Sequence, residues 1–200
     1  VSDELGHASK RDPPSIRVDK LHVPPLFGVA ADDAHHYHGR GDASPGRGWV
    51  MVRAAELSAP AIITAMQKGD FYASSGVILR DVRYSPEAKA FEIEIEPDGN
   101  TEFATQFVGT RVGYESSNEP VTDAGGKTLD VTRRYSSNVG KVLLTVRGTR
   151  AAYELTGNEL YVRATIAASR PPDDPAYEGQ LGQTWTQPVG CEQHVRPAGD

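Results

Sequence analysis

Asp33-Ala34-His35 places a carboxylate and an imidazole two residues apart, and both are good ligands for Zn, Mn or Fe. They belong to a dense run, Asp32-Asp33-Ala34-His35-His36-Tyr37-His38, that closes a short apolar stretch. On an extended segment, residues i and i+2 point to the same side, so Asp33 and His35 can converge on one ion. Asp32 and His36 then point elsewhere, which leaves Asp32 to anchor backbone or to orient a ligating histidine. Spacing alone equally allows Asp33 to cap a turn while the histidines meet solvent. A second candidate is Arg47 in Pro45-Gly46-Arg47-Gly48-Trp49. Flanking glycines let backbone approach a ligand closely, and a guanidinium there can grip a phosphate or carboxylate with two hydrogen bonds. A solvated arginine in a surface turn is the plainer alternative. Phe71-Tyr72-Ala73-Ser74-Ser75-Gly76 offers hydroxyls beside a glycine, but no Gly-x-Ser-x-Gly elbow and no paired base. It is expected to be a turn. Tyr161 and Trp185 are expected in the core, and His7, His22 and His194 are isolated in sequence.

The elements that must position these groups follow from pattern. Residues 1–20 are polar with Pro13-Pro14 and are expected to be a loop. Pro24-Pro25 bars a helix from running into the next segment, and residues 27–31 are expected to form a buried strand that ends at Asp32. Glycine and proline make 39–48 a loop, and 49–53 is β-prone. A helix is predicted between Ser58 as N-cap and Gly69 as stop, with Pro60 tolerated in its first turn. After Gly76 the chain turns to strand patterning. Residues 91–96, Phe-Glu-Ile-Glu-Ile-Glu, alternate strictly. Further strands are predicted at 77–84, 103–108, 110–115, 129–135, 141–147, 151–155, 160–168 and 183–189, at the spacing of a β-sandwich. A turn is predicted at 123–127, a long polar loop at 170–182 and a loose tail from 190. The division falls near Ser75, with αβ character before it and β after.

Bulk properties narrow the classes. The 200 residues allow one large domain or two small ones. Apolar residues are 38% of the chain with no run long enough for a spanning helix. A net charge of −6 leaves no basic footprint for nucleic acid. A single cysteine, Cys191, excludes an intrachain disulfide and a cysteine-rich zinc site. Residues 1–12 show no apolar signal region. The 20 glycines and 14 prolines favour a turn-rich β protein.

Four ordered segments carry a resemblance: Gly28 to His35, Pro45 to Val50, Glu56-Leu57-Ser58 at a helix start, and Gly69 to Gly76. Together they resemble the C-terminal part of the polymerase and histidinol phosphatase (PHP) family of metal-dependent phosphoesterases, in the branch with a β-sandwich after its catalytic barrel. Tyr161 to Ala164 and Trp185 to Val189 resemble that branch's closing strands. The resemblance implies an α+β, mainly β chain: residues 1–75 as the last strand and helix of a (β/α) barrel, 76–190 as an immunoglobulin-like antiparallel sandwich, and 191–200 as a tail. It implies divalent metal ions (Mn, Zn or Fe) held in part by Asp33 and His35, the family's last Asp-x-His metal motif. It implies metal-activated water attacking a small-molecule phosphoester or related ester, with Arg47 as a catalytic group that stabilises substrate charge. The family's earlier histidine-rich motifs have no counterpart before residue 27, where His7 and His22 stand alone. The chain is therefore expected to be the C-terminal portion of a longer enzyme, inactive alone and partnered by the remainder of the barrel or another subunit. A non-catalytic β-sandwich module and a carboxylester hydrolase are the alternatives, and neither nucleic acid nor a membrane span is expected.

Overall fold

The structure, a computed structural model, describes residues 14–38 and 44–195. The chain is mainly β with antiparallel sheets. In chain order the elements are α1 (Pro14–Asp19), β1 (Trp49–Val52), α2 (Ala59–Lys68), β2 (Phe71–Ser74), β3 (Leu79–Ser85), β4 (Ala90–Ile95), β5 (Phe103–Arg111), β6 (Asn118–Thr122), β7 (Thr128–Tyr135), β8 (Lys141–Arg147), β9 (Arg150–Glu154), β10 (Glu159–Ala168) and β11 (Gln183–Thr186). One sheet has the order β1-β2-β11-β10-β5-β8, a second β3-β4-β9, and β6-β7 form a separate pair. Among the described residues no helix is long and apolar enough to cross a membrane.

The alternation in 90–95 buries Phe91, Ile93 and Ile95 and exposes or half-exposes the glutamates between them. These side chains meet Phe103 and Phe107 of β5, Val162, Ala164 and Ile166 of β10, and Ala151 and Tyr153 of β9 in one apolar core shared by the two larger sheets. Phe91 meets Phe107 edge-on at a centroid distance of 5.7 Å, and Phe107 stacks on Tyr153 at 5.5 Å. Each ring so buried contributes about 1.5–3 kcal/mol relative to exposure.

Helix α2 keeps its predicted bounds. The Ser58 side chain accepts a hydrogen bond from the Ala61 amide, and Gly69 ends the helix at φ 79°. Residues 71–74 differ from expectation: they form strand β2 rather than a turn, with all four side chains buried. A strand covered on both faces loses its alternation. Because β2 pairs with β11, the six-stranded sheet extends across the division expected near Ser75. Residues 103–111 are one strand, not two. Gly109 within it is a point of close approach, where a Cβ would lie 2.5 Å from the Tyr161 carbonyl oxygen. Strand β6 was not expected, since Pro120 interrupts it, and the register shifts at that residue. At the ends, residues 14–19 form α1 rather than loop, and 191–195 are fixed rather than loose. Cys191 is buried in a second cluster with Val18, Leu160 and Tyr161, and Glu192–His194 form a 3₁₀ turn.

Between β2 and β3 the chain leaves one sheet and enters the other within five residues. The backbone there is served by side-chain hydroxyls. Ser74 Oγ donates to the Val77 carbonyl at 2.7 Å and accepts from the Gly76 and Val77 amides at 3.1 Å each. Thr184 Oγ1 lies 2.8 Å from Ser74 Oγ and 2.6 Å from the Val77 carbonyl. Tyr72 OH accepts from the Leu79 amide at 3.0 Å. Ser74 and Thr184 are fully buried, so deleting either hydroxyl strands polar groups away from water. Ser74→Ala and Thr184→Val should each cost about 1–3 kcal/mol in urea unfolding. Their double mutant should cost less than the sum, because the bond between the two hydroxyls is already lost in either single mutant. Strict additivity would show that the two hydroxyls act independently.

A second buried polar group sits at the start of β10. The fully buried Glu159 carboxylate accepts from Tyr153 OH at 2.8 Å, Thr156 Oγ1 at 2.9 Å and the Thr156 and Gly157 amides at 3.0 and 3.1 Å. Burial alone would push this carboxyl up, but the donors together hold it below its ordinary value of 4.5. A carboxyl lowered in the folded state contributes stability above the unfolded-state value, and that contribution is lost as pH falls through the folded value. Thermal stability should therefore fall as pH drops below 4.5. In Glu159→Gln this acid-dependent part should vanish, with a loss of about 1–3 kcal/mol at neutral pH. An identical pH profile in the variant would assign the acid lability to other groups.

Candidate functional site

Residues 22–38 cross the end of the six-stranded sheet as an irregular strap. This corrects the strand expected at 27–31: Leu26 is 47% and Val29 54% exposed, and among the described residues no strand pairs with them. The physical reason is that one aromatic ring and one side-chain amide hold the segment. Phe27 meets Phe71 edge-on at 6.1 Å. Its ring also covers Gly69, where an added Cβ would lie 2.7 Å from the Phe27 ring. Glycine at 69 is thus required twice, by the left-handed φ and by this contact. The Gly28 amide donates to Gln187 Oε1 at 2.9 Å, and Gln187 Nε2 donates to the Gly28 carbonyl at 2.8 Å. The amide of a buried glutamine thereby does for one residue what a neighbouring strand would do.

Further along, the strap reaches the Arg47 turn. A Cβ on Gly48 would meet the Ala31 backbone at 3.2 Å. The Asp32 carboxylate accepts a hydrogen bond from the Gly46 amide, so Asp32 anchors backbone, one of its two expected roles. Asp33 and Arg47 each lie one residue from that bond. The first two sequence signatures are therefore brought together, although they stand apart in the chain.

The expected geometry of the Asp-x-His pair is corrected. Asp33 has φ 48°, a left-handed conformation that aspartate tolerates better than most residues, so 33–35 is not an extended segment and the same-side rule does not apply to it. Asp33, His35, His36 and His38 are exposed, and Tyr37 OH donates to the Ala34 carbonyl at 2.9 Å. His36-Tyr37-His38 is itself a His-x-His spacing that the sequence reading passed over. Among the described residues, no group of three or more histidine, cysteine or carboxylate side chains stands ready to hold a metal.

Arg47 is mostly shielded, with its side chain 14% exposed. Its Nε donates to Asp174 Oδ2 at 3.2 Å and its second terminal nitrogen to Asp174 Oδ1 at 3.4 Å. Arg47 thus meets a carboxylate of its own chain at two points. Asp174 comes from the polar loop at 170–182, 127 residues away, and no local pattern marks it. The same is true of Gln187, 159 residues from Gly28.

The remaining candidates are structural. The hydroxyls of 71–76 serve the sheet crossing. Tyr161 is buried, with Thr110 Oγ1 donating to its OH at 3.3 Å. Trp185 is half-buried rather than in the core. His22 and His194 are not isolated: His22 Nδ1 lies 3.2 Å from the His194 carbonyl, and His194 Nε2 lies 3.2 Å from that of Glu159. His7 lies outside the described residues. Burial pushes the Cys191 thiol up to about 11, so it is no thiolate nucleophile at neutral pH. A groove of about 590 Å³ opens between the strap, β1, β2 and β3, walled by Phe27, Phe71, Tyr72, Val82 and Tyr84. The Arg53–Asp81–Arg83 ion pairs stand at its side.

No family model, curated protein or solved structure matches this chain.

The geometry makes Gln187 the main polar tether of the strap. Gln187→Ala should leave the sheets folded, cost about 1–3 kcal/mol and raise amide hydrogen exchange selectively in 26–33. Unchanged exchange there would mean that Phe27 alone holds the segment.

Proposed function

We propose that the protein forms part of a metal-dependent hydrolase of the PHP type that acts on phosphoesters. The observation that carries this reading is the Asp32–Gly46 hydrogen bond. It joins the residue before Asp33 to the residue before Arg47, which supports a site that handles both a cation and a substrate anion. In this reading the strap, the Arg47 turn and α2 are what this chain contributes to the barrel, and the sheets, β1 and β2 included, form an immunoglobulin-like sandwich. The donor set fits a divalent ion in part. A carboxylate and an imidazole suit Mn, Zn or Fe, and both are exposed and accessible. A catalytic zinc ordinarily takes three protein ligands, so further donors come from outside the described residues. When bound, such an ion supplies water of lowered pKa. The chain's own part is to hold it through Asp33 and His35 and to balance negative charge on the ester through Arg47.

A second reading, a binding or structural module without catalysis, is favoured by the distribution of exposed apolar side chains. Among the described residues, seven of the thirteen large ones fall in 21–63: Leu21, Leu26, Val29, Tyr37, Met51, Leu57 and Ile63. Contact with the remainder of a barrel or with another subunit would cover such residues.

Metal content and hydrolysis of phosphomonoester, phosphodiester and carboxylester substrates with Mn, Zn and Fe test both readings. Asp33→Ala and His35→Ala should each lower bound metal roughly tenfold or more and reduce hydrolysis with it. Metal content and turnover unchanged in both variants would sink the hydrolase reading. Robust metal-dependent turnover by this chain alone would sink the second.

A further inference from the structure

We propose that Asp174 is an intramolecular occupant of the Arg47 guanidinium, which an anionic substrate group of the phosphate class must displace. The inference deepens the role given to Arg47 above and rests on that reading. Two observations carry it. The first is the contact itself. Two nitrogens of one guanidinium face two oxygens of one carboxylate, the fork that a bound phosphate or carboxylate would adopt. The second is its looseness. At 3.2 and 3.4 Å the contacts are longer than the roughly 2.7–2.9 Å of a tight charge-assisted pair. The carboxylate side is also the more exposed, at 34% against 14% for Arg47.

The loop that delivers Asp174 is held at its base rather than at its tip. Its neck is closed by the Ala168 amide donating to the Gly182 carbonyl and the Gly182 amide to the Arg170 carbonyl, each at 2.9 Å. Arg170 pairs with Asp98 and Asp173. Among the described residues, Arg47 is the only ion-pair partner of Asp174. Asp174 can therefore leave Arg47 while the neck stays closed. Until it leaves, its charge and that of Asp173 disfavour a free anion. Asp174 thus sets a threshold: a singly charged or weakly held anion does not replace it, whereas a phosphate group offering two oxygens to the fork does.

The test is a titration with inorganic phosphate at constant ionic strength, read by NMR at the Arg47 Nε–H and at the Asp174 side-chain carboxyl. In the wild type, phosphate should shift both signals together. Asp174→Asn should tighten phosphate binding on the order of fivefold, the worth of one modest ion pair, and Asp174→Ser should do the same if the asparagine variant folds poorly. Arg47→Met in the Asp174→Asn background should abolish the response. Equal or weaker binding in both Asp174 variants, an unmoved Asp174 signal, or binding that survives Arg47→Met would each overturn the proposal. Loss of this response with metal binding at Asp33 and His35 intact would overturn this inference alone. A phosphate response without any metal binding would instead remove the hydrolase reading.

Discussion

Everything in this molecule hangs on carrying one chain between two sheets without leaving backbone polar groups dry. Ser74 ends β2, Leu79 begins β3, and the residues between belong to neither ladder. Ser74, Thr184 and Tyr72 supply the missing partners. That solution makes the shared apolar core possible, because it lets the two sheets sit face to face with a very short connection. It also fixes where β11 lies, since Thr184 belongs to that strand.

The position of β11 in turn fixes the candidate site. Gln187 follows directly on its last residue and clamps Gly28 from both sides of the peptide. From there the strap has no freedom to wander before Ala31 meets Gly48 and Asp32 meets Gly46. The residues with the most chemical potential, Asp33, His35 and Arg47, are thus placed by groups that have none. A serine, a threonine, a tyrosine and a glutamine set their coordinates.

Local chemistry was legible in the sequence wherever a local rule governed it. Ser58 and Gly69 bounded α2 because caps act within one turn, and the alternation of 90–95 marked a half-buried strand. Strand β2 was hidden because cover on both faces erases alternation. Strand β5 was read as two, because Gly109 marks a close approach to a neighbouring strand and not a break, and β6, with Pro120 at a register shift, was not foreseen. The apolar look of 27–31 suggested a strand, whereas Gln187 had already met the backbone's needs there. For the site, residue types gave Asp33, His35 and Arg47 as candidates. They gave no hint of Asp174, whose contact with Arg47 spans 127 residues, or of the left-handed φ at Asp33.

The Gln187–Gly28 clamp also imposes an order of assembly. It closes a loop of 159 residues, and contacts of that span form late because the chain entropy they cost must first be offset by nearer pairings. Strands β2, β10 and β11 have to be in register before Gln187 can present its amide. A chain growing from its N-terminus therefore makes Asp33 and His35 early and places them last. The clamp thus acts as a timer that ties the placing of these two residues to the completion of the scaffold.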